Sequence, residues 1–321
     1  GEEKEEEKVD TSNMTAREIR EAEIKAMMDS LDSEQTYTKF VPEEPEPEPE
    51  PQASGPFSSL NIPLSHEVTI NSHDRVASHV SLDPSCARMN ASSFSYSFSL
   101  YDFGGMDSSF RPFRTLKPDD GNPVIKSSYS PTGDKFLCLT SAAQPKVFDR
   151  DGKELWQFVK GDVYIRDVTN TKGHTAAVTG GMWHPSKKDE CITCSLDGSV
   201  RVWKLSGKTL FGKLVCDSVL RVRNPRGVRC ACTAASYDRD GRYVAHGTAE
   251  GSLVLHDAHD FGNRPLAAVH GAHEGKVVCV EFSNANAKVA TRGEDGTVKV
   301  FDVGRLKAAG GGGRKPKPPL R

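Results

Sequence analysis

One pattern recurs five times between residues 81 and 303, and this repeat restricts the possible fold more than any other feature of the chain. Each unit has an apolar-alternating strand, a turn, a second strand, a second turn, and a third strand ending on an aromatic side chain or its stand-in. The first turns occupy 81–92, 128–139, 182–194, 236–247 and 281–292. The aromatic position falls at Tyr101, Phe148, Trp203, His256 and Phe301, at intervals of 47, 55, 53 and 45 residues. Six residues before each stand Ser95, Ala142, Asp197, Glu250 and Asp295. In the last three units the acid is followed at once by Gly198, Gly251 or Gly296. An acid–glycine pair between two alternating runs signals a tight hairpin, because glycine adopts the positive φ that such turns demand. Val200 and Val202, like Val298 and Val300, alternate with polar neighbours, which turns one face of each strand inward.

Units of this length, built from short strands with this acid-to-aromatic spacing, resemble the WD-repeat β-propeller family. The resemblance is strongest in the third unit, which begins Gly173-His174 and ends Asp197-Gly-Ser-Val-Arg-Val-Trp203, closing on Trp203-Lys204 instead of Trp-Asp. The fifth unit carries His273, Asp295 and Phe301-Asp302. The resemblance implies an all-β WD-repeat propeller over residues 56–304, with about five blades visible as part of a larger, seven-blade-type ring. It also implies one buried hydrogen-bond network per blade, joining a His, a turn Asp, a strand Trp and a hydroxyl. Ser195 is the expected hydroxyl beside His174, Asp197 and Trp203; His273, Asp295 and Phe301 are the counterparts in the fifth unit. Units one and two lack the Asp, and unit four has Glu250 without an evident His, so looser blades are expected there.

Charge divides the chain further. Residues 1–51 hold 17 acidic and 6 basic side chains, whereas the chain as a whole has a net charge of only −2. The first eight residues are almost all Glu and Lys and bury nothing. Thr15-Ala-Arg-Glu18 reads as a capping box. After it Ile24, Met27, Met28 and Leu31 form one apolar helical stripe, read either as a partner-docking helix or as a marginal solvated one. Pro42 to Pro51 (PEEPEPEPEP) is a stiff, extended spacer. Residues 1–55 are thus expected to be a disordered acidic arm, and 305–321 a Gly-rich basic tail with six basic groups and no acid. The chain opens on Gly1 inside an acidic tract, with no charged-then-apolar leader, and is read as a fragment. No apolar run approaches the roughly 18 residues of a spanning helix.

Further stretches extend the resemblance to one nuclear subfamily of WD-repeat proteins, collinearly over about residues 60–304. They include Pro63-Leu-Ser-His-Glu-Val-Thr69, Asp102-Phe-Gly-Gly-Met-Asp107, Val147-Phe-Asp-Arg-Asp-Gly152 and Asn170-Thr-Lys-Gly-His-Thr175. This resemblance implies a nuclear, non-enzymatic interaction scaffold. Its partners would be other proteins: a cullin-4 ubiquitin ligase adaptor, or chromatin, DNA-damage-response or splicing factors. Receptors for the cullin-4 adaptor often carry Trp-Asp-X-Arg at a blade end; the nearest match here is Phe301-Asp302-Val303-Gly304-Arg305, with Arg305 one position late.

The remaining chemistry is sparse. Cys191-Ile-Thr-Cys194 has zinc-like spacing but no second pair, and residues three apart on a strand point to opposite faces. No Walker-type glycine loop or Gly-X-Ser-X-Gly elbow occurs. His174, Ser195 and Asp197 have the residue types of a hydrolase triad, but in this setting they read as the blade network. No catalytic residue, cofactor or metal is expected. Arg221, Arg223, Arg226 and Arg229 precede the fourth unit and are read either as phosphate or acidic-peptide contacts or as a solvated loop. With the basic tail they support an alternative reading, direct RNA or DNA binding, including a spliceosome-associated role.

Overall fold

The structure is a computed structural model that describes residues 68–71, 73–261 and 264–310. The expected arm with Met27 and Met28, the Pro–Glu spacer and the tail beyond residue 310 lie outside the described residues. Four sheets are four-stranded antiparallel meanders. The first holds β1 (Ala77–Leu82), β2 (Arg88–Ser93), β3 (Phe98–Asp102) and β4 (Arg114–Leu116). The second holds β5 (Val124–Tyr129), β6 (Lys135–Thr140), β7 (Lys146–Asp149) and β8 (Glu154–Gln157). In the third, β9 (Val178–Trp183), β10 (Glu190–Ser195) and β11 (Ser199–Lys204) are followed by a small hairpin, β12 (Thr209–Leu210) and β13 (Lys213–Leu214), before β14 (Ser218–Arg221) completes the sheet. The fourth holds β15 (Cys232–Tyr237), β16 (Tyr243–Thr248), β17 (Leu253–Asp257) and β18 (Ala267–Val269). The fifth shows three strands, β19 (Val277–Phe282), β20 (Lys288–Gly293) and β21 (Val298–Asp302), then helix α1 (Val303–Gly310).

These are five blades of a WD-repeat β-propeller, and the five aromatic positions all fall near the ends of the third strands. The acid–glycine turns behave as their composition demands: Gly198 and Gly251 have φ of +72° and +76°. A Cβ on Gly251 would also run into the His273 carbonyl, so the turn is closed to side chains on two counts.

The first strands of successive blades, β1, β5, β9, β15 and β19, touch in order. Each carries a register shift at its second residue, opposite the following strand. Such a bulge re-aims the side chain of the extra residue. Here it turns hydroxyls toward the next blade. Ser78 Oγ donates to the Val124 carbonyl at 2.7 Å, Thr179 Oγ1 to Cys232 at 2.8 Å and Thr233 Oγ1 to Val277 at 2.5 Å. The second blade has Ile125 at this position and cannot make the bond. Thr179→Val should therefore leave the Cys232 carbonyl without its partner and lower stability by about 1–2 kcal/mol, read from urea midpoints; an unchanged midpoint would show that the bonds are incidental.

Hydrophobic burial follows the same blade-to-blade logic. Four apolar clusters lie between successive blades, centred on Phe98 and Phe136, on Trp203 and Phe158, on Ile192 and Tyr237, and on Leu255 and Phe301. Within the first, Phe98 packs edge-on to Phe136 and Phe148, with centroids at 5.2 and 5.4 Å. Cys191 enters the cluster between blades two and three, whereas Cys194 enters the one between three and four. The CxxC pair thus diverges across the sheet, and all eight cysteines are free thiols. Among the described residues no group of three His, Cys, Asp or Glu side chains is placed to hold a metal ion.

At the C-terminal end the short helix α1 spans the boundary expected after residue 304. Asp302 Oδ1 accepts from the Arg305 amide at 2.9 Å and caps the first turn. Leu306 is buried in the last cluster beside Phe301 and Val303. Lys307 Nζ sits 3.4 Å from the centroid of the Tyr243 ring, which ties the helix to the fourth blade. Glycine-rich composition beyond Ala308 masked this short amphipathic turn.

Candidate functional site

The residues with the most chemistry lie inside the blades. In the third blade His174, on the loop before β9, is fully buried. Its Nδ1 lies 2.9 Å from Asp197 Oδ2, and its Nε2 lies 2.7 Å from Thr193 Oγ1. Thr193 Oγ1 also accepts from Trp203 Nε1 at 2.7 Å. Asp197 accepts from the Thr175 amide at 3.0 Å, the Ser199 amide at 2.9 Å and Ser199 Oγ at 2.6 Å. Burial alone would raise the Asp197 carboxyl, but hydrogen bonds from His174, Ser199 and Thr175 outweigh it and hold the pKa at about 2. Burial lowers the pKa of His174 despite its carboxylate partner, so the ring is neutral.

The expected hydroxyl, Ser195, does something else. Its Oγ lies against the Ala176 and Ala177 carbonyls at 3.0 and 2.8 Å and accepts from the Asp197 amide. Thr193 is the bridging hydroxyl. The two residues alternate on one face of β10, so strand periodicity alone does not tell them apart; the depth of the His174 ring selects Thr193. This geometry also excludes the triad arrangement, since Ser195 Oγ bonds backbone carbonyls and His174, Thr193 and Trp203 are all sealed from solvent.

The fifth blade repeats the arrangement. His273 Nε2 meets Thr291 Oγ1 at 2.8 Å, and its Nδ1 meets both Asp295 oxygens at 3.1 Å. Hydrogen bonds from Thr297, the Glu274 amide and His273 hold the Asp295 carboxyl below the usual carboxylate range, against a burial effect of opposite sign. Phe301 replaces the tryptophan and is buried, without the indole donor.

One buried residue escaped the sequence reading. Arg201, in the middle of β11, is 0% exposed. Its guanidinium donates to the carbonyls of Thr171 at 2.9 Å and Val168 at 2.8 Å and to the Thr171 hydroxyl. It pins the 3-10 turn Val168–Asn170 against the blade. Alternation between Val200 and Val202 marked position 201 as outward-facing; the overlying loop buries it.

The arginine cluster lies at the junction of blades three and four. Arg221, Arg223 and Arg229 line a hollow of about 350 Å³ with Arg166 and Asp167. Arg221 is 4.0 Å from Asp167, at the limit of an ion pair. Arg226 is exposed and lines neither this hollow nor the larger one beside it. The larger hollow, of about 910 Å³, shares Arg221 and Arg223 and reaches inward to His246 and His256. Arg305 is exposed on the first turn of α1, and its amide is engaged by Asp302. That cap begins the helix at Val303.

Comparison with known proteins agrees with this geometry. The family model "WD domain, G-beta repeat" matches residues 166–204 and 264–302. These two segments contain the complete His–Thr–Asp constellations of blades three and five. WD repeat-containing protein 70 of Xenopus tropicalis is 39% identical over 247 residues, covering 77% of this chain and 39% of the relative. The Gastrulation defective protein 1 homolog of Drosophila melanogaster is 36% identical over 249 residues, covering 77% and 37%. Human WD repeat-containing protein 70 is 40% identical over 196 residues, covering 61% and 29%. The chain thus spans well under half the length of these relatives. Its repeat register, blade networks and these similarities place the chain in the WD-repeat family.

Proposed function

We propose that this chain is a non-enzymatic protein-interaction scaffold of the nucleus, serving either as a receptor subunit for a cullin-4 ubiquitin ligase or within a chromatin or DNA-damage-response complex. WD-repeat proteins are typically non-enzymatic scaffolds that bind other proteins, which supports the coarser part of this reading. The observation that carries it is the disposition of polar groups. The His–Asp constellations are consumed inside blades three and five, while an arginine-rich hollow opens at the surface between three and four. Chemistry is thereby locked into stiffening the blades, and recognition is left to their junctions and rims.

The test is affinity capture from nuclease-treated nuclear extract with the full chain as bait, beside an Arg221→Glu/Arg223→Glu/Arg229→Glu variant. The expected result is a defined set of proteins retained by the native chain and reduced at least tenfold by the triple variant. Retention of no protein from the nuclease-treated extract would overturn the scaffold reading. Recovery of the cullin-4 adaptor would identify the ligase role, and its absence among retained proteins would remove that role.

The same arginines favour a second reading, direct nucleic-acid binding. It requires an affinity for an RNA or DNA oligonucleotide that falls steeply with salt, as counterion release dictates, and that is lost in the triple variant.

A further inference from the structure

The fourth blade departs from the pattern of the third and fifth at one point. The register of β16 and β17 sets His246 where β10 has Thr193 and β20 has Thr291, and His256 where Trp203 and Phe301 stand. In the third blade this space is filled: Trp203 stacks on Phe158 with centroids 4.3 Å apart, and Leu214 closes over them. In the fifth, Phe301 packs with Leu306. In the fourth, two imidazoles lie face to face at 5.3 Å and 18°, and the 910 Å³ hollow reaches both of them.

The histidines are not there for a network. His246 is fully buried, yet among the described residues neither ring nitrogen has a hydrogen-bond partner, and Nδ1 of His256 has none either. Each unsatisfied buried polar atom is costly to the fold. A pair that adds this cost and packs more loosely than Thr with Trp has no structural return, and orphaned buried groups are a mark of a site that takes a ligand. The rest of the lining gives the ligand its sign. Arg221, Arg223, Arg264 and His270 line the hollow, and among the described residues no Asp or Glu does. The adjoining hollow adds Arg166 and Arg229 against Asp167.

We propose that the hollow between blades three and four binds a phosphorylated side chain of a partner protein, with Arg221 and Arg223 clamping the phosphate and His246 and His256 forming part of the floor. Guanidinium forks match phosphate oxygens in geometry and charge. Burial holds the imidazoles neutral, so the floor adds no charge that needs its own counterion. Convergence of the donors on one hollow suits a compact, terminal phosphomonoester. A nucleic-acid backbone would instead need a basic track with aromatic platforms for its bases, and Phe261 is the one aromatic carbocycle among these lining residues. The inference deepens the scaffold reading and rests on it, because the phosphate is carried by a protein.

The test is equilibrium binding to the full chain with four probes: a degenerate phosphoserine/phosphothreonine peptide pool, the same pool unphosphorylated, inorganic phosphate, and a 20-nucleotide single strand. The phosphorylated pool is expected to bind at least tenfold more tightly than the unphosphorylated one, and inorganic phosphate to compete weakly. Arg221→Glu/Arg223→Glu should abolish the difference. So should His246→Thr/His256→Trp, which rebuilds the third-blade pair and keeps the fold, as circular dichroism would verify. Equal binding of the two pools, unchanged binding by the histidine variant, or tighter binding of the oligonucleotide would each overturn the inference. Proteins captured from nuclear extract despite such a failure would leave the scaffold reading standing alone.

Discussion

Asp197→Ala is expected to destabilise the described propeller by about 3–5 kcal/mol, because it leaves several buried donors unsatisfied at about 1–3 kcal/mol each. The substitution strands four donors at once: the His174 ring, the Thr175 amide, and the amide and hydroxyl of Ser199. Because His174 in turn orients Thr193, and Thr193 receives the Trp203 indole, the loss spreads from the turn to the aromatic core. Urea unfolding of the variant measures it. Asp295→Ala is the internal comparison. Its carboxylate makes similar bonds nearer the surface, where water replaces them, so the loss should be clearly smaller. Equal losses at the two sites would refute the view that burial gives the third-blade network its strength. The acid dependence has a defined sign. The Asp197 pKa is depressed to about 2 in the folded chain. Its contribution is therefore full above the unfolded carboxyl range near pH 4 and is lost as the pH falls toward 2.

The second large effect is a stability gain in mild acid from His246→Thr/His256→Trp. Burial holds His246 at about 3 and His256 at about 4, against an ordinary value of 6.5, and the neighbouring ring adds to the depression at His246. The unfolded chain takes up protons as the pH falls through 6.5; the folded chain does not do so until near 4. Stability is thus full above pH 6.5 and declines below it, by about 1.4 kcal/mol per pH unit for each histidine. The double substitution removes both titrations, supplies a Thr hydroxyl for the indole, and fills part of the hollow. Chemical denaturation between pH 7 and 4.5 should show a slope reduced by about 2 kcal/mol per pH unit. His79, His174 and His184, also lowered by burial, contribute to the remaining slope. An unchanged slope would mean that the pair is solvated in the native state. If the hollow binds phosphate, the same variant gains stability and loses recognition, the trade expected where a site displaces a structural network.

The repeat and the blade register were legible in the residues themselves. Asp197-Gly198 and Asp295-Gly296 mark their turns because few residues other than glycine accept φ near +70°, and Trp203 and Phe301 mark the strands that follow. The outer strands were not legible. Arg114–Leu116 and Ala267–Val269 are three residues long, too short for alternation to register, and they exist because β3 and β17 offer open edges to pair with. Period two assigns a side chain to a face but not to a neighbour. It therefore could not choose Thr193 over Ser195, foresee that a loop would bury Arg201, or turn Thr179 through a bulge onto the next blade. The hollow that His246 and His256 line likewise belongs to no single residue. Local backbone chemistry in the sequence determined where this chain turns and which faces are apolar; only the packing of one blade against the next decided which polar groups are satisfied and which are left open to a ligand.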